Sequence, residues 1–359
     1  MEMIDLTSGT GHERVLLCRD PEAGYRGVIA IHSTVAGLAA GGTRFWSYAS
    51  EEEAVQDALR LSRGMTYKNI MAGLPLGGGK SVILRDPGRN GGPVDREKLF
   101  RAHGRFIESL GGRYVTGEDV GTSPADMAFI RQETRHVVGL VTAERSGDPS
   151  PWTARGVVRA IQAAAVHRWG SDDLSGRRIA IQGCGNVGSL LARELREAGA
   201  ELVVADVDPE KVRKVVEATG ARAVGPEEIL EAEADLLAPC ALGGILNAQT
   251  IGDLRVEVVA GAANNQLLEP EDGDLLRELG ILYAPDYVAN AGGVISGCRE
   301  LLGWSDEEAS GRVERIYDTT LAVLRRADQL RISPHLAADW MAKERLKALR
   351  TAPAPGRSS

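Results

Sequence analysis

The sequence predicts an α/β protein made of two domains, and three observations lead to this expectation. The chain of 359 residues is long enough to form two separate hydrophobic cores. A stretch around Gly139–Pro151 is rich in Gly, Ser, Asp and Pro, which is typical of a boundary between domains. After this stretch, helical and extended patterns alternate regularly, which favours a parallel sheet covered by helices on both faces.

The first third of the chain mixes strands and helices. Val15–Cys18 and Gly27–Ile31 are predicted to be adjacent strands, because a turn signal separates them. Ser50 followed by Glu53 has the pattern of a capping box and predicts the start of a helix. The other elements expected before the boundary are a strand near Ser81–Leu84, a helix near Arg96–Leu110 and a strand near Arg113–Thr116.

The elements predicted after the boundary alternate along the chain. The expected strands are Arg178–Gln182, Leu202–Val207, Asp235–Leu237 and Val256–Gly261. The expected helices are Thr153–Trp169, Val187–Ala198, Pro209–Thr219, Ser305–Leu330 and about Pro334–Arg350. The tail, residues 351–359, is rich in Ala, Pro and Ser, so we expect it to be disordered.

Composition argues against several classes of protein. The formal net charge is −8 and no basic cluster stands out, so we expect no nucleic-acid partner. No apolar run approaches the roughly 20 residues that span a bilayer. The acidic N-terminus lacks the pattern of a signal peptide, so we expect no membrane and a cytoplasmic location. The cysteines are scattered without ligand spacing and predict reduced thiols and no metal site: Cys18, Cys184, Cys240 and Cys298.

A glycine-rich turn joins the predicted strand Arg178–Gln182 to the next helix and reads Gly183-Cys184-Gly185-Asn186-Val187-Gly188. In this GxGxxG pattern the first glycine permits a tight turn and the second lets a pyrophosphate approach the backbone. The third lets the helix pack on the strand, and the helix N-terminus offers N–H groups to the phosphates. The pattern alone is also seen in plain tight turns. Its place between a strand and a helix predicts a Rossmann dinucleotide-binding domain.

An acidic residue, Asp206, ends the next predicted strand, about 20 residues after the glycine turn. A carboxylate there accepts hydrogen bonds from a ribose 2′-OH and repels a 2′-phosphate, so we expect NAD and not NADP. Asp208 could share this role, although its place before Pro209 also suits a helix N-cap.

Two lysines, Lys68 and Lys80, flank a glycine-rich segment. The glycines would let a ligand approach the backbone, and burial would lower the pKa of Lys80 so that it could act as a base for water. A phosphate-binding loop is the alternative, but its lysine should begin a helix. The β-branched Val82 and Ile83 after Lys80 predict a strand instead.

Two carboxylates, Glu118 and Asp119, follow the strand predicted near Arg113–Thr116. Clefts form at the carboxyl ends of strands in open α/β sheets, so Asp119 is a candidate site residue. A capping or salt-bridging role is the structural alternative.

A series of further motifs occurs in a characteristic order and spacing. They are Gly41-Gly-Thr-Arg44, Met65-Thr-Tyr-Lys-Asn69, Leu76-Gly-Gly-Gly-Lys80, Gly112-Arg-Tyr-Val-Thr-Gly-Glu-Asp-Val-Gly121, Ala238-Pro-Cys-Ala-Leu-Gly-Gly244, Gly261-Ala-Ala-Asn-Asn-Gln266, and Tyr283-Ala-Pro-Asp-Tyr287 with Asn290-Ala-Gly-Gly293. Through them the chain, from about Val15 to Arg350, resembles the leucine/phenylalanine/valine dehydrogenase family, part of the wider Glu/Leu/Phe/Val superfamily. The resemblance implies an NAD-dependent oxidative deamination of an L-amino acid to a 2-oxo acid and ammonia.

The resemblance also implies roles for individual residues. Lys80 would activate water against the iminium carbon and stabilise the carbinolamine, and Asp119 would relay protons to and from ammonia. Lys68, helped by backbone N–H groups near Gly41 and Gly42, would hold the substrate α-carboxylate. Thr153 and Asn265 would orient the nicotinamide, while the rest of the cofactor would contact Gly183, Cys184, Gly185, Asn186, Val187, Gly188 and Asp206.

The resemblance implies a domain arrangement as well. Residues 1–140 with about 330–350 would form a substrate-binding, catalytic and oligomerisation domain, and residues 141–329 the Rossmann domain. A cleft between the domains would close over the substrate, which excludes water and aligns the reacting atoms. A homo-oligomer is expected on the same ground.

The identity of the substrate is suggested by the residues expected around its side chain. Relatives that act on glutamate carry a lysine at Ala40 and a serine near Gly297, and without a cation a second carboxylate is costly to bury. Leucine and valine enzymes usually carry Leu, Ala and Val at Ala40, Gly117 and Gly297, so this pocket is roomier, while Val294 keeps it apolar. We expect an uncharged, aromatic substrate such as phenylalanine or tryptophan.

Alternatives remain open at this point. Neighbouring side chains could refill the pocket, in which case valine or leucine would be the substrate. Two rivals from other classes are a catalytically silent NAD-binding regulator and a lyase of the cyclodeaminase type, which would release ammonia without accumulating NADH.

Overall fold

The computed structural model describes residues 1–85, 95–140 and 148–351. Two compact units are present, one formed by Met1–Gly147 with Ala342–Ser359 and the other by Asp148–Met341. The two-domain α/β fold expected from the sequence is confirmed. Of the tail expected to be disordered, Thr351 is the last residue of a helix and residues 352–359 lie outside the described residues. Residues 141–147 of the predicted boundary also lie outside them.

The first unit contains a mixed sheet and the helices that cover it. Its described strands are β1 (Glu2–Asp5), β2 (Arg14–Asp20), β3 (Tyr25–Ser33), β4 (Ala39–Ala40), β5 (Thr43–Trp46), β6 (Gly77–Leu84) and β7 (Tyr114–Val115). Its helices up to residue 140 are α1 (Glu51–Met71), α2 (Arg96–Glu108) and α3 (Pro124–Arg131).

The sheet of the first unit has the strand order β1-β2-β3-β6-β4-β7, with β5 beside β6. The strands from β1 to β6 along this order are antiparallel, whereas β4 and β5 run parallel to β6 and β4 runs parallel to β7. The carboxyl ends of β4, β5 and β7 therefore point the same way as the carboxyl end of β6. This common direction brings residues from distant parts of the sequence to the middle of the sheet.

Helix α1 begins where the capping box predicted. The Ser50 side chain accepts a hydrogen bond from the Glu53 N–H at 3.2 Å, and the Glu53 carboxylate accepts one from the Ala49 N–H at 3.0 Å. The helix buries Ala54, Ala58 and its last turn against the sheet. Its packing on β6 brings two residues on either side of Lys68 to the glycine-rich strand: Thr66 lies beside Gly78, and the Asn69 side chain donates to the Gly77 carbonyl at 2.6 Å.

The second unit contains a six-stranded parallel sheet with helices on both faces. Its strands are β8 (Arg178–Gln182), β9 (Glu201–Ala205), β10 (Arg222–Ala223), β11 (Leu236–Pro239), β12 (Val258–Val259) and β13 (Leu282–Tyr283). Its helices are α4 (Ser150–Trp169), α5 (Asn186–Glu197), α6 (Pro209–Thr219), α7 (Glu271–Glu278), α8 (Asp286–Ala289), α9 (Gly292–Leu302), α10 (Asp306–Glu314) and α11 (Ile316–Leu330), followed by α12 (Pro334–Thr351).

The strand order of this sheet is β10-β9-β8-β11-β12-β13, which is the doubly wound order of a Rossmann domain. One apolar cluster, which includes Val157, Ile181 and Leu195, packs on one face. Another, which includes Val203 and Leu237, packs on the other face. The order reverses beside β8, the strand that leads into the glycine turn.

The structure corrects one predicted element and adds several. The single helix expected over Ser305–Leu330 is two helices, α10 and α11, which meet at Arg315. The sequence did not predict several elements, most of which are short: β1, β4, β5, β10, β13, α3, α7, α8 and α9. Helix α9 was also missed because it begins with Gly292-Gly293. Glycine is a poor helix former, so sequence gives little sign of α9.

All four cysteines are free thiols. No helix in the described ranges is both long and apolar enough to cross a membrane. Within the same ranges, no group of three His, Cys, Asp or Glu side chains is arranged to hold a metal ion.

Candidate active site

The Lys80 side chain is buried and paired with a carboxylate. Lys80 lies in β6, where 4% of the residue is exposed, and its Nζ is 2.9 Å from Oδ2 of Asp119. Burial is the main reason that the pKa of Lys80 is lowered; the nearby Arg44 acts in the same direction, whereas Asp119 opposes it. A lysine with a lowered pKa can act as a base for water. Because Lys80 lies within a strand and does not begin a helix, the phosphate-loop alternative is wrong.

The glycines before Lys80 let its strand approach its neighbours closely. Gly78 and Gly79 are buried in β6. A Cβ on Gly78 would lie 2.1 Å from the Thr66 nitrogen, and a Cβ on Gly79 would lie 2.6 Å from the Tyr114 ring. Protein atoms therefore occupy the Cβ side of both glycines, so a ligand does not approach either of them from that side. Their effect is to fix the strand that carries Lys80.

One oxygen of Asp119 is shared by two cations. Its Oδ2 accepts hydrogen bonds from Arg44 Nε at 3.0 Å and from the Lys80 ammonium. The backbone N–H of Asp119 donates to Thr122 Oγ1 at 2.9 Å, which holds the turn after β7. Burial alone would raise the pKa of Asp119, but Lys80 and Arg44 outweigh this effect and lower it. The carboxylate therefore stays ionised at neutral pH.

Arg44 and the residues behind it received no role from the sequence. Arg44 lies in β5 between the buried Thr43 and Phe45, and its Nη1 is 2.9 Å from Oδ2 of Asp57. The same oxygen accepts a hydrogen bond from the Tyr48 hydroxyl at 2.7 Å. An arginine between two buried strand positions is a signal that could have found this network, because a charge there needs a partner.

Lys68 lies on the face of α1 that approaches the predicted carboxylate site. Met65 is one turn earlier on this face, and its Cγ is 3.3 Å from the position of a Cβ on Gly41. The Gly41 N–H already donates to the Val115 carbonyl at 3.1 Å, in the pairing that continues β4 against β7. Of the two glycines expected to assist Lys68, Gly42 is thus the better candidate.

Ala40 and Gly117, both expected near the substrate side chain, are half-buried, and Gly117 lies two residues after β7. Ala40 ends β4 and is opposite Gly78 and Val115. A Cβ on Gly117 would lie 3.2 Å from Cγ2 of Val138, so even an alanine would be tight there.

The glycine turn of the second unit leaves an open stretch of backbone. Gly183 has a φ of +101°, which side-chain-bearing residues rarely adopt, and a Cβ on Gly188 would lie 2.0 Å from the Gly183 carbonyl oxygen. A Cβ on Gly185 would have no heavy atom within 4 Å. No side chain caps α5, whose first residues are Asn186 and Val187. The turn can therefore receive phosphate groups at Gly185 and the helix N-terminus.

The Asp206 carboxylate lies beside this turn, just after β9. Its Oδ2 accepts a hydrogen bond from the Cys184 N–H at 2.7 Å, and its Oδ1 accepts one from the Asp208 N–H at 2.9 Å. Asp208 accepts a hydrogen bond from the Glu210 N–H at 3.0 Å, as expected for an N-cap of α6. Of the two acids, Asp206 is therefore the candidate for contact with a ribose.

A cavity of about 300 Å³ opens beside the glycine turn. Its walls come from the glycine turn, α5 and α6 and include Cys184, Gly185, Asn186, Ser189, Lys211 and Lys214. Lys211 and Lys214 add positive charge to a region that already offers the N–H groups of a helix N-terminus.

Thr153 lies where α4 meets the start of α9, the helix that also carries Val294 and Gly297. Thr153 Oγ1 donates to the Pro149 carbonyl at 3.0 Å, and a Cβ on Gly293 would lie 2.9 Å from this Oγ1. Val294 and Gly297 are three residues apart and share one face of α9. A Cβ on Gly297 would have no heavy atom within 4 Å, so this position faces open space.

Asn265 is held in an uncommon conformation. Its φ is +52°, in the left-handed region that asparagine tolerates better than most residues. On either side, Asp286 accepts a hydrogen bond from the Gln266 N–H at 3.1 Å, and the Asn264 side-chain oxygen accepts one from Asn290 at 2.8 Å. Asp286 and Asn290 stood in sequence motifs without an assigned role, and the structure places them as anchors of this loop.

Comparison with known proteins relates both units to one family. The model of the Glu/Leu/Phe/Val dehydrogenase dimerisation domain matches residues 12–136, and that of Glutamate/Leucine/Phenylalanine/Valine dehydrogenase matches residues 148–210 and 208–352. The chain is 52% identical to the leucine dehydrogenase of Geobacillus stearothermophilus over 99% of its own length and 96% of that enzyme. It is 47% identical to the valine dehydrogenase of Streptomyces coelicolor over 96% of its length and 94% of that enzyme. The crystal structure of L-tryptophan dehydrogenase from Nostoc punctiforme is similar with a TM-score of 0.85 and 44% identity, covering 96% of this chain and 98% of that one.

Proposed function

Because the chain belongs to the Glu/Leu/Phe/Val dehydrogenase family, we propose that it catalyses the reversible, NAD-dependent oxidative deamination of an uncharged L-amino acid to a 2-oxo acid and ammonia. It is an amino-acid dehydrogenase, and its dinucleotide-binding domain implies a nicotinamide cofactor. The observation that carries the proposed chemistry is the buried Lys80 ammonium, 2.9 Å from Asp119.

The proton chemistry is assigned to Lys80 and Asp119. In the deamination direction the neutral Lys80 amine takes a proton from the water that adds to the substrate iminium ion. This step converts the iminium ion into a neutral carbinolamine. The Lys80 ammonium so formed returns its proton through Asp119 to the carbinolamine nitrogen, and Lys80 takes the hydroxyl proton as ammonia leaves and the 2-oxo acid forms. Lys80 must be neutral to begin, so deamination rises with pH as the pH passes through the lowered pKa of Lys80.

Substrate binding in the first unit is assigned to Lys68 and to the backbone at Gly42. A lysine ammonium on α1 supplies the positive charge that an α-carboxylate needs, and a backbone N–H supplies direction. This role is supported by the Met65 contact, which brings the Lys68 face of α1 to the glycine pair.

The residues of the second unit fit a bound NAD. A bound nicotinamide would supply the acceptor for the hydride on the substrate Cα. The open backbone at Gly185 and the uncapped start of α5 suit the pyrophosphate, and the Asp206 carboxylate suits a ribose with a free 2′-OH. Thr153 and Asn265 are proposed to hold the nicotinamide end.

The substrate is proposed to have a large apolar side chain, aromatic in the first instance. Ala40 and Gly117 in the first unit and Gly297 in the second carry little or no side chain, and Gly297 faces open space. Val294, on the same face of α9 as Gly297, supplies an apolar surface. The 44% identity to an L-tryptophan dehydrogenase is in keeping with this choice.

A branched-chain substrate is the second candidate. It is favoured by the 52% identity to a leucine dehydrogenase and the 47% identity to a valine dehydrogenase. Differences of a methylene or two in an apolar pocket change preference by only about 1–3 kcal/mol, so a broad range of substrates is expected.

A substrate screen tests the function and the choice of amino acid together. Purified protein is mixed with NAD or NADP and L-phenylalanine, L-tryptophan, L-leucine, L-valine or L-glutamate, and the absorbance of the reduced cofactor is followed. We expect the highest kcat/KM with an aromatic amino acid and NAD, and almost none with glutamate. A higher kcat/KM for leucine or valine would decide for the second candidate. Ammonia release without reduced cofactor would indicate a lyase, and no turnover at all would indicate a silent binding protein.

We also propose that the chain forms a homo-oligomer. The support is the match of residues 12–136 to a dimerisation domain. Light scattering across a range of protein concentrations measures the assembly directly.

A further inference from the structure

We propose that Arg44 is a positioning residue for the deamination reaction, and that it holds the Asp119 carboxylate in place and neutralised while Lys80 gains and loses its proton. The inference rests on the proposed function, because it concerns the same Lys80 and Asp119. Arg44 Nε and Lys80 Nζ both contact Oδ2 of Asp119, so Arg44 is proposed to act on Lys80 through this carboxylate.

The geometry gives Arg44 two fixed partners. Its Nε is 3.0 Å from Asp119, and its Nη1 is 2.9 Å from Asp57 on α1. Both nitrogens belong to one rigid, planar guanidinium, so the contact with Asp57 sets the orientation of the contact with Asp119. Asp57 is itself held by the Tyr48 hydroxyl at 2.7 Å and by Arg60 at 2.8 Å.

The four charged side chains are largely buried, so the loss of an oppositely charged partner is costly for any of them. The side chains of Arg44, Asp57 and Asp119 are 17%, 14% and 23% exposed, and that of Lys80 is 5% exposed. A buried carboxylate that loses its only cationic partner is strongly destabilised. If Asp119 had Lys80 alone, deprotonating Lys80 would leave such a carboxylate, and Lys80 would keep its proton to higher pH.

Arg44 removes this penalty because its guanidinium stays protonated at any working pH. Asp119 remains paired with Arg44 when Lys80 becomes neutral. The charged groups that act on Lys80 come from three elements: Arg44 on β5, Asp57 on α1, and Asp119 after β7. Arg44 lowers the pKa of Lys80, whereas both carboxylates raise it.

The test compares the variants Arg44→Gln and Arg44→Lys with the unaltered chain. The steady-state kcat and KM for deamination are measured against pH, with the amino acid on which the unaltered protein is most active and saturating NAD. In Arg44→Gln we expect the acid limb of the kcat profile to move up by about one pH unit, or about a tenfold lower kcat on that limb. KM for the amino acid should change little.

The conservative variant and a control separate positioning from a general loss of charge. Arg44→Lys keeps the charge but has no planar guanidinium to bridge two carboxylates. The acid limb of its kcat profile should therefore lie between those of the unaltered protein and Arg44→Gln. Arg101→Gln removes an arginine that pairs with Glu133 at 2.7 Å in the same unit, and its pH profile should match the unaltered protein.

Two results would overturn the inference. The first is a kcat that falls equally at every pH in folded Arg44→Gln, which would indicate a structural role only. If circular dichroism shows that Arg44→Gln does not fold, the Arg44→Lys variant decides the question. The second result is then a kcat and an acid limb in Arg44→Lys that match those of the unaltered protein. Failure of the proposed function is a separate outcome, since the unaltered protein would then reduce no NAD with any amino acid.

Discussion

The two candidate sites of this molecule are built in opposite ways. In the first unit, Lys80, Asp119 and Arg44 come from distant parts of the sequence and are held by ion pairs of 2.9 and 3.0 Å among buried groups. In the second unit, the nucleotide site is one continuous turn, Gly183–Gly188, whose backbone is the binding surface, with Asp206 fixed by two backbone N–H groups. Proton chemistry needs charged side chains at set distances, whereas phosphate binding needs open backbone.

The glycines show the same difference. A side chain at Gly79 is excluded, because its Cβ would lie 2.6 Å from the Tyr114 ring. Gly185 has open space at the same position. A glycine in the first site is thus required by the fold, and a glycine in the second is available to a ligand.

The strongest test of this contrast is Lys80→Ala. We expect kcat to fall by about 10²–10⁴-fold, because the variant lacks the proposed acid–base group. The Kd for NAD, measured by fluorescence titration, should change little because the proposed nucleotide site is built from residues of the other unit. Lys98→Ala, at an exposed lysine of the same unit, is the control. Substantial turnover in Lys80→Ala would contradict the assignment.

A pair of glycine variants compares the two sites directly. Gly79→Ala should destabilise the protein by about 1–3 kcal/mol or more, since the new methyl group meets the Tyr114 ring. Gly185→Ala should leave the free energy of unfolding unchanged and weaken NAD binding at least tenfold, because the methyl group takes the place of the pyrophosphate. Thermal denaturation and NAD titration of both variants measure these effects. Equal NAD affinity in Gly185→Ala would place the pyrophosphate elsewhere.

Asp206→Ala sharpens the cofactor side of the comparison. Loss of charged hydrogen bonds worth about 1.5–3 kcal/mol should lower the preference for NAD over NADP by roughly ten- to a hundredfold. The ratio of kcat/KM values for the two cofactors is the measurement. Asp208→Ala is the matched control, and a change in that variant alone would assign the ribose to Asp208.

The smallest effect is expected at the proposed substrate wall. Gly297→Ala adds a methyl group in open space, so the fold should be unaffected and the ratio of kcat/KM for phenylalanine to that for valine should fall by up to about tenfold. Gly117→Ala adds its methyl group 3.2 Å from Val138 and should also cost some stability. If neither substitution alters the ratio, these glycines do not line the side-chain site.

The contrast also explains what the sequence could predict. The glycine turn, its strand and Asp206 lie close together in the chain, so spacing alone predicts a Rossmann domain. The link from Arg44 to Asp119 depends on the parallel bridge between Thr43 and Glu118, which joins segments far apart in sequence. Composition could mark Arg44 as a buried charge in need of a partner, but not which carboxylate would provide it.

Similar reasons account for what the sequence could not show. Gly78 and Gly79 suggest space for a ligand when read along the chain, and only the neighbouring α1 and Tyr114 show that protein fills the Cβ side of both. The start of α9 at Gly292-Gly293 is stabilised by packing, since a Cβ on Gly292 would lie 1.9 Å from the Trp152 carbonyl oxygen. Tertiary contact outweighs the low helix propensity of glycine there.

Helix α12 has a consequence for how the protein is made. Its residues from Ala342 onward belong to the first unit, where Arg345 donates to the carbonyls of Ile70 and Met71 at the end of α1. On the ribosome these residues are synthesised after the whole second unit, long after α1 has emerged. The unit that carries Lys80 therefore cannot be completed during translation until the whole nucleotide-binding unit has been made.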